Sequence, residues 1–195
     1  MLDLRGRSRI APLLDPIAAG LAKIRLTPTA VTIIGLVVTI GGSVLIANEE
    51  YIWGALVAGF GGFLDALDGP LARLQGKASI RGAFVDTMAD RFGEISIFAA
   101  LAFALRDDAT GLMLCVFALA FSLLTPYVRA KAESWGAEGR GGWMGRAERM
   151  ILALAGVGLE GLGLPTLLPT LWIFVVLSGF TVAQRIRRTW QQLEP

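Results

Sequence analysis

Residues 28–47 contain no charged side chain, and neither do 109–128 or 165–184. A run of about 20 apolar residues is the length at which a helix crosses the bilayer hydrocarbon. Inside that hydrocarbon the backbone must satisfy its own hydrogen bonds, and a helix does so within one segment. The 195 residues are 54% hydrophobic, far too apolar for an ordinary soluble domain. The expected fold is therefore an all-α integral membrane protein with six transmembrane helices, preceded by an N-terminal amphipathic surface helix. The whole chain, 1–195, reads as a single membrane domain without repeats.

From residue 8 to 26, Ile10, Leu13, Leu14, Ile17, Leu21 and Ile24 recur at helical spacing, with Arg9, Lys23 and Arg25 between them. This pattern predicts a helix lying on the membrane surface. Thr27 is an expected N-cap and Pro28 suits a first helical position. The spans are expected at about 28–47, 51–73, 82–105, 110–131, 146–161 and 165–188. Gly54, Gly59, Gly61 and Gly62 would let a neighbouring helix approach the second span closely. Trp135 and Trp143 are expected at the membrane interface.

Six spans put both termini on one side. Of the 18 Lys and Arg residues, all but Arg106 fall on the side that holds the termini, the loop at 73–82 and the loop at 129–149. The positive-inside rule assigns it to the cytoplasm of a plasma-membrane protein. The net charge of +2 gives no reason to expect nucleic acid as a partner. The chain has no histidine, which excludes Ser-His-Asp triads and His-ligated zinc or haem. Its one cysteine, Cys115, lies in an apolar run and reads as a buried hydrophobe.

Within this apolar chain, four aspartates stand in two pairs. Asp65 and Asp68 are spaced i, i+3 and Asp86 and Asp90 are spaced i, i+4. On helices each pair shares a face. Carboxylates in apolar surroundings are costly unless positive charge compensates them, and intramembrane acids mark functional sites. Divalent metal held by oxygen ligands is the simplest compensation, and four carboxylates could hold two ions that clamp a phosphate. Gly69 would allow a phosphate or nucleotide close to the backbone, and Arg73 could hold a phosphate oxygen bidentately. Residue types alone thus indicate metal-dependent phosphoryl transfer at the cytoplasmic membrane face.

The segment Asp65-x2-Asp68-Gly69-x2-Ala72-Arg73-x8-Gly82-x3-Asp86-x3-Asp90 resembles the signature of the CDP-alcohol phosphotransferases at all eight specified positions. The resemblance implies transfer of a phosphatidyl group from CDP-diacylglycerol or a related CDP-alcohol to an acceptor hydroxyl, with release of CMP. It implies Mg²⁺ or Mn²⁺, two ions per site, on Asp65, Asp68, Asp86 and Asp90, with Asp90 also the base that takes the acceptor proton. It implies that Gly69, Ala72, Arg73 and Thr32 hold the donor, and that the enzyme is a homodimer in the lipid bilayer.

The segments around Tyr127–Glu133, Arg146–Arg149 and Gln184–Arg185, and the start at Leu26–Thr32, are similar to members of that family that use inositol phosphate. Arg129, Lys131, Arg149 and Arg185 are the expected acceptor phosphate-binding residues, because cations at one membrane side suit a phosphorylated polyol. The same charges fit glycerol 3-phosphate, so phosphatidylglycerophosphate synthesis is the alternative. Ordinary cytoplasmic flanking charge is the competing reading for Arg129, Lys131, Arg146 and Arg149, and most of all for Arg146 taken singly. Glu94 continues the face of Asp86 and Asp90 and is expected to support the site or to pair with Arg91 or a more distant cation. A cation transporter is the alternative of another class, since carriers also bind metal through intramembrane carboxylates.

Overall fold

The computed structural model describes residues 14–139 and 141–193. Among them there are only helices, turns and coil. The helices are α1 (residues 14–23), α2 (Pro28–Ala47), α3 (Tyr51–Asp65), α4 (Asp68–Leu74), α5 (Ile80–Ala104), α6 (Ala109–Ser134), α7 (Arg146–Gly161) and α8 (Leu167–Trp190). Four stretches are long and apolar enough to cross a membrane: Pro28–Ala47, Tyr51–Leu74, Ala109–Ser134 and Leu167–Trp190. Helices α5 and α7 fall short by composition and length. Asp86, Asp90, Arg91 and Glu94 interrupt α5, and α7 has only 16 residues with Arg146, Glu148 and Arg149 in its first turn.

Local sequence sets most of the helix ends. The Thr27 hydroxyl accepts from Ala30 N at 3.2 Å ahead of Pro28, Ser79 from Gly82 N at 3.1 Å, and Asp108 from Thr110 N at 3.0 Å. Each supplies an acceptor to an otherwise orphaned first-turn amide. Glu160 caps α8 from the end of α7, accepting from Thr166 N and Leu167 N at 2.8 and 2.7 Å.

The second expected span is divided. Its helix ends at Asp65, turns through Ala66 and Leu67, and resumes as α4 at Asp68. Residues 8–13, including Ile10 and Leu13, lie outside the described residues. In α1 the periodic apolar residues do not share one face. Leu14, Ala18, Leu21 and Ala22 pack inward with Leu67 of the turn, Leu71 of α4 and Val31 of α2, whereas Ile17, and Ile24 just past the helix, are exposed. Gln75 Nε2 also donates to the Leu26 carbonyl at 2.7 Å. The N-terminal helix therefore buttresses α4.

Helices α2 and α3 run antiparallel and pack through glycine. A Cβ on Gly35 would meet the Gly61 carbonyl at 2.8 Å, and one on Gly54 would meet Ile46 Cγ1 at 2.6 Å. Gly42 is pressed against the backbone of Ala58. Of the glycines singled out in the second span, Gly54 and Gly61 make these close approaches, a Cβ on Gly59 would only touch Leu154 at 3.9 Å, and Gly62 has open space beside it.

The apolar core lies between α3, α5, α6, α7 and α8. Phe98 and Phe174 meet edge to face at 5.0 Å, surrounded by Ile97, Leu101, Leu114, Val157 and Leu171. Helix α7 starts beside Asp65 and ends with Gly161 against Tyr51 and Ile52, so it traverses the same depth as α3. Pro126 interrupts α6 and deprives the Ser122 carbonyl of its helical donor. Arg91 Nη1 of α5 approaches that carbonyl at 3.3 Å.

Candidate active site

The break after Asp65 brings the first aspartate pair beside the second. Asp65 ends α3, Asp68 opens α4 and Asp86 lies in the second turn of α5. One carboxylate oxygen from each lies within 4.8 Å of the other two. Three half-buried carboxylates this close repel one another strongly. They form a hard oxygen donor set that fits Mg²⁺ or Mn²⁺ and not a thiolate-seeking metal.

Thr32, 2% exposed, donates its hydroxyl to Asp68 Oδ2 at 2.5 Å and so orients that carboxylate. Thr32→Val keeps the shape and removes the donor. We expect it to weaken Mn²⁺ binding about tenfold, as loss of a partner behind a metal ligand does. Titration of Mn²⁺ into purified protein checks this, and unchanged affinity would remove Thr32 from the site.

Gly69 and Arg73 flank the carboxylates on α4. A Cβ on Gly69 would meet nothing nearer than Arg73 Nη1 at 3.6 Å, so the backbone there is open to a ligand. Ala72 lies between them, and Arg73 is exposed with no ion pair among the described residues.

Asp90 lies beside this group of three without belonging to it and shares Arg146 Nη1 with Asp65. Its Oδ1 lies 2.7 Å from Arg146 Nη1, and its Oδ2 lies 3.7 Å from Arg91 Nη2. Arg146 also donates from Nη1 to Asp65 Oδ2 at 3.2 Å, while its Nε lies 3.7 Å from Glu94 Oε1. Reading Arg146 as ordinary flanking charge is therefore corrected: it ties α7 to α3 and α5 at the centre of the site. The available signal was spacing, since Arg146 and Arg149 are in phase with Ala153, Gly156 and Val157 on the buried face of α7. Charged residues on that face must turn inward.

The residues expected to take the acceptor phosphate have different environments. Arg149 is 2% exposed, and its Nη2 faces Glu94 Oε1 at 3.5 Å. Arg129 pairs with Glu133 at 2.9 Å. Arg185 donates to the Thr125 carbonyl, one turn before Arg129, and to the Gly141 carbonyl, both at 2.9 Å. Arg129 and Arg185 thus come to one corner of the bundle, under the Gly136–Gly145 loop. Lys131 does not join them, because i and i+2 point away from each other on a helix. Its ammonium sits 4.4 Å from the centre of the Trp135 ring. Trp143, 70% exposed, packs against Phe180 at 5.7 Å.

Known proteins share this arrangement of sequence and fold. The chain is 36% identical over 193 residues to the phosphatidylinositol phosphate synthase of Mycobacterium marinum, covering 94% of this chain and 82% of the relative. It is 33% identical over 192 residues to the enzyme of that name from Corynebacterium glutamicum, covering 95% and 88%. The crystal structure of Mycobacterium tuberculosis phosphatidylinositol phosphate synthase with CDP-DAG bound superposes with a TM-score of 0.84 at 32% identity, covering 92% of this chain and 94% of that one. Its complex with manganese and citrate matches with the same TM-score and identity, over 91% and 88%. The sequence profile of the CDP-alcohol phosphatidyltransferases matches residues 25–185, a stretch that contains both aspartate pairs, Thr32, Arg146 and Arg185. The chain belongs to the CDP-alcohol phosphatidyltransferase family.

Proposed function

We propose that this protein transfers the phosphatidyl group of CDP-diacylglycerol to inositol phosphate and releases CMP. The observation that carries the reading is the meeting of Asp65, Asp68 and Asp86 within 4.8 Å, beside the open backbone of Gly69 and the exposed Arg73. It is supported by relatives named as phosphatidylinositol phosphate synthases and by one of them having been crystallised with CDP-DAG.

Asp65, Asp68 and Asp86, with Asp90 beside them, would hold one or two Mg²⁺ or Mn²⁺ ions, which supply positive charge for the donor diphosphate. Arg73 would hold a diphosphate oxygen, with Gly69 and Ala72 leaving room for the cytidine portion and Thr32 steadying Asp68. Asp90 would take the proton from the acceptor hydroxyl as that oxygen bonds to the β-phosphorus. The bond from the β-phosphorus to the bridging oxygen breaks, and CMP leaves with that oxygen. Arg129 and Arg185 would take the acceptor's phosphate, with Lys131 and Arg149 adding positive potential on the same side.

The same reading includes a single membrane domain over 1–195. Six crossings follow if α5 and α7 join the four long apolar stretches, because α7 runs beside α3 over the same depth. It also includes α1 at the membrane surface, a cytoplasmic site and termini in the plasma membrane, and a homodimer.

An acceptor panel tests the proposal. Purified protein, CDP-diacylglycerol and Mg²⁺ are mixed separately with inositol 1-phosphate, glycerol 3-phosphate, inositol and serine, and CMP release is followed. Turnover with inositol 1-phosphate alone is expected. Turnover with glycerol 3-phosphate alone would keep the transfer and overturn the acceptor.

A further inference from the structure

We infer that Glu94 is a positioning residue for this transfer, holding Arg146 so that its outer nitrogen faces Asp90; the inference rests on the phosphatidyl-transfer reading. Glu94 lies one helical turn beyond Asp90 on α5, and its side chain is 0% exposed. Three guanidiniums from two helices converge on it. Arg91 Nη1 lies 2.5 Å from Oε2, Arg149 Nη2 lies 3.5 Å from Oε1, and Arg146 Nε lies 3.7 Å from Oε1.

These cations have different alternatives. Arg149 is buried and has no other carboxylate within ion-pair distance among the described residues. Arg91 also reaches the Ser122 carbonyl freed by Pro126 and the edge of Asp90. Arg146 is stretched between two acidic groups, with Nε toward Glu94 and Nη1 toward Asp90 and Asp65. Its orientation therefore depends on both ends.

Removing the Glu94 charge would leave three clustered guanidiniums with only Asp65 and Asp90 as nearby acidic partners. Burying such charges without a partner is strongly unfavourable, and each would be drawn toward those carboxylates. A small cavity of about 40 Å³ beside this contact is lined mostly by apolar residues, with Thr39, Asp65, Glu94 and Arg146 as its polar members. Glu94 thus keeps Arg149 from competing for Asp90 and fixes the Nε end of Arg146, so that Nη1 stays on Asp90. Glu94 touches neither of the proposed reacting groups, so its effect passes through Arg146.

The test compares wild type, Glu94→Gln and Glu94→Asp as full-length protein in lipid nanodiscs. kcat and the two KM values are taken from CMP release, and CDP-diacylglycerol binding is measured with Mn²⁺ present. Glu94→Gln is expected to lower kcat about 10- to 100-fold, the scale of a misplaced catalytic group, with donor KM and donor binding within twofold of wild type. Glu94→Asp restores the charge with a shorter reach and should recover a large part of the loss. A Glu94→Gln kcat within threefold of wild type, or loss of donor binding in parallel with kcat in both variants, overturns the positioning role.

If Glu94→Gln does not fold, the pair Glu94→Gln with Arg149→Gln removes the stranded charge together with its partner. A kcat in the folded pair well below that of Arg149→Gln alone supports positioning of Arg146, whereas a kcat equal to that of Arg149→Gln alone shows that Glu94 only neutralised Arg149. No CMP release from wild type with any acceptor would overturn the transfer reading and this inference with it. Wild-type turnover with an unaffected Glu94→Gln variant overturns the inference alone.

Discussion

Asp90→Asn is expected to reduce CMP release from CDP-diacylglycerol by about a thousandfold, within the range that general acid–base groups contribute. The amide has nearly the volume of the carboxylate but cannot take the acceptor's proton. Its oxygen can still face Arg146, which retains Asp65 and Glu94 as ion-pair partners. The variant should therefore fold and remain monodisperse in detergent. Donor binding should persist, because Asp65, Asp68 and Asp86 form their cluster without Asp90. CMP release and Mn²⁺-dependent donor binding, measured on the same preparation, separate the two roles. Turnover within tenfold of wild type would remove Asp90 as the base. Loss of donor binding would make it chiefly a metal or donor ligand.

The largest effect on stability is expected from Gly42→Val. A Cβ there would stand 2.8 Å from Ala58 Cα and nearer still to its backbone nitrogen. Nothing at that point is a flexible side-chain end that could yield, so α2 and α3 must separate. Overpacking typically costs about 1–3 kcal/mol, and a clash with helix backbone belongs at the top of that range or above it. The penalty would spread to the site, because Gly35 and Gly61 continue the same contact and Asp65 ends α3 one turn beyond Gly61. Thermal unfolding in detergent is the measurement, with Gly41→Ala as the comparison. Nothing lies within 4 Å of a Cβ at Gly41, so that variant should melt like wild type. Equal melting of Gly42→Val and wild type would mean that the two helices are not packed this closely.

The features readable along the chain were those set within a few residues. Thr27 and Pro28 start α2 as their chemistry requires, because a helix N-terminus needs an acceptor and tolerates a residue without an amide hydrogen. Uncharged runs marked three of the long helices, and the aspartate spacing marked the carboxylate cluster. The break between α3 and α4 was signalled only by Pro70, which lacks an amide hydrogen and suits the first turn of a new helix, while Ala66 and Leu67 keep helical backbone angles, so the stretch still reads as one span.

By itself the sequence determined an all-helical chain built for a membrane, four aspartates forced to find positive charge, and the family signature that contains them. Only the tertiary structure decided where the arginines go. Arg146 meets Asp65 across 81 residues, and Arg149 is buried on Glu94, while Arg129 pairs within its own helix and Lys131 rests on Trp135. Helical spacing states which residues share a face. Whether a long cationic side chain at a membrane-side helix end reaches water or turns onto a buried carboxylate depends on the helix packed beside it.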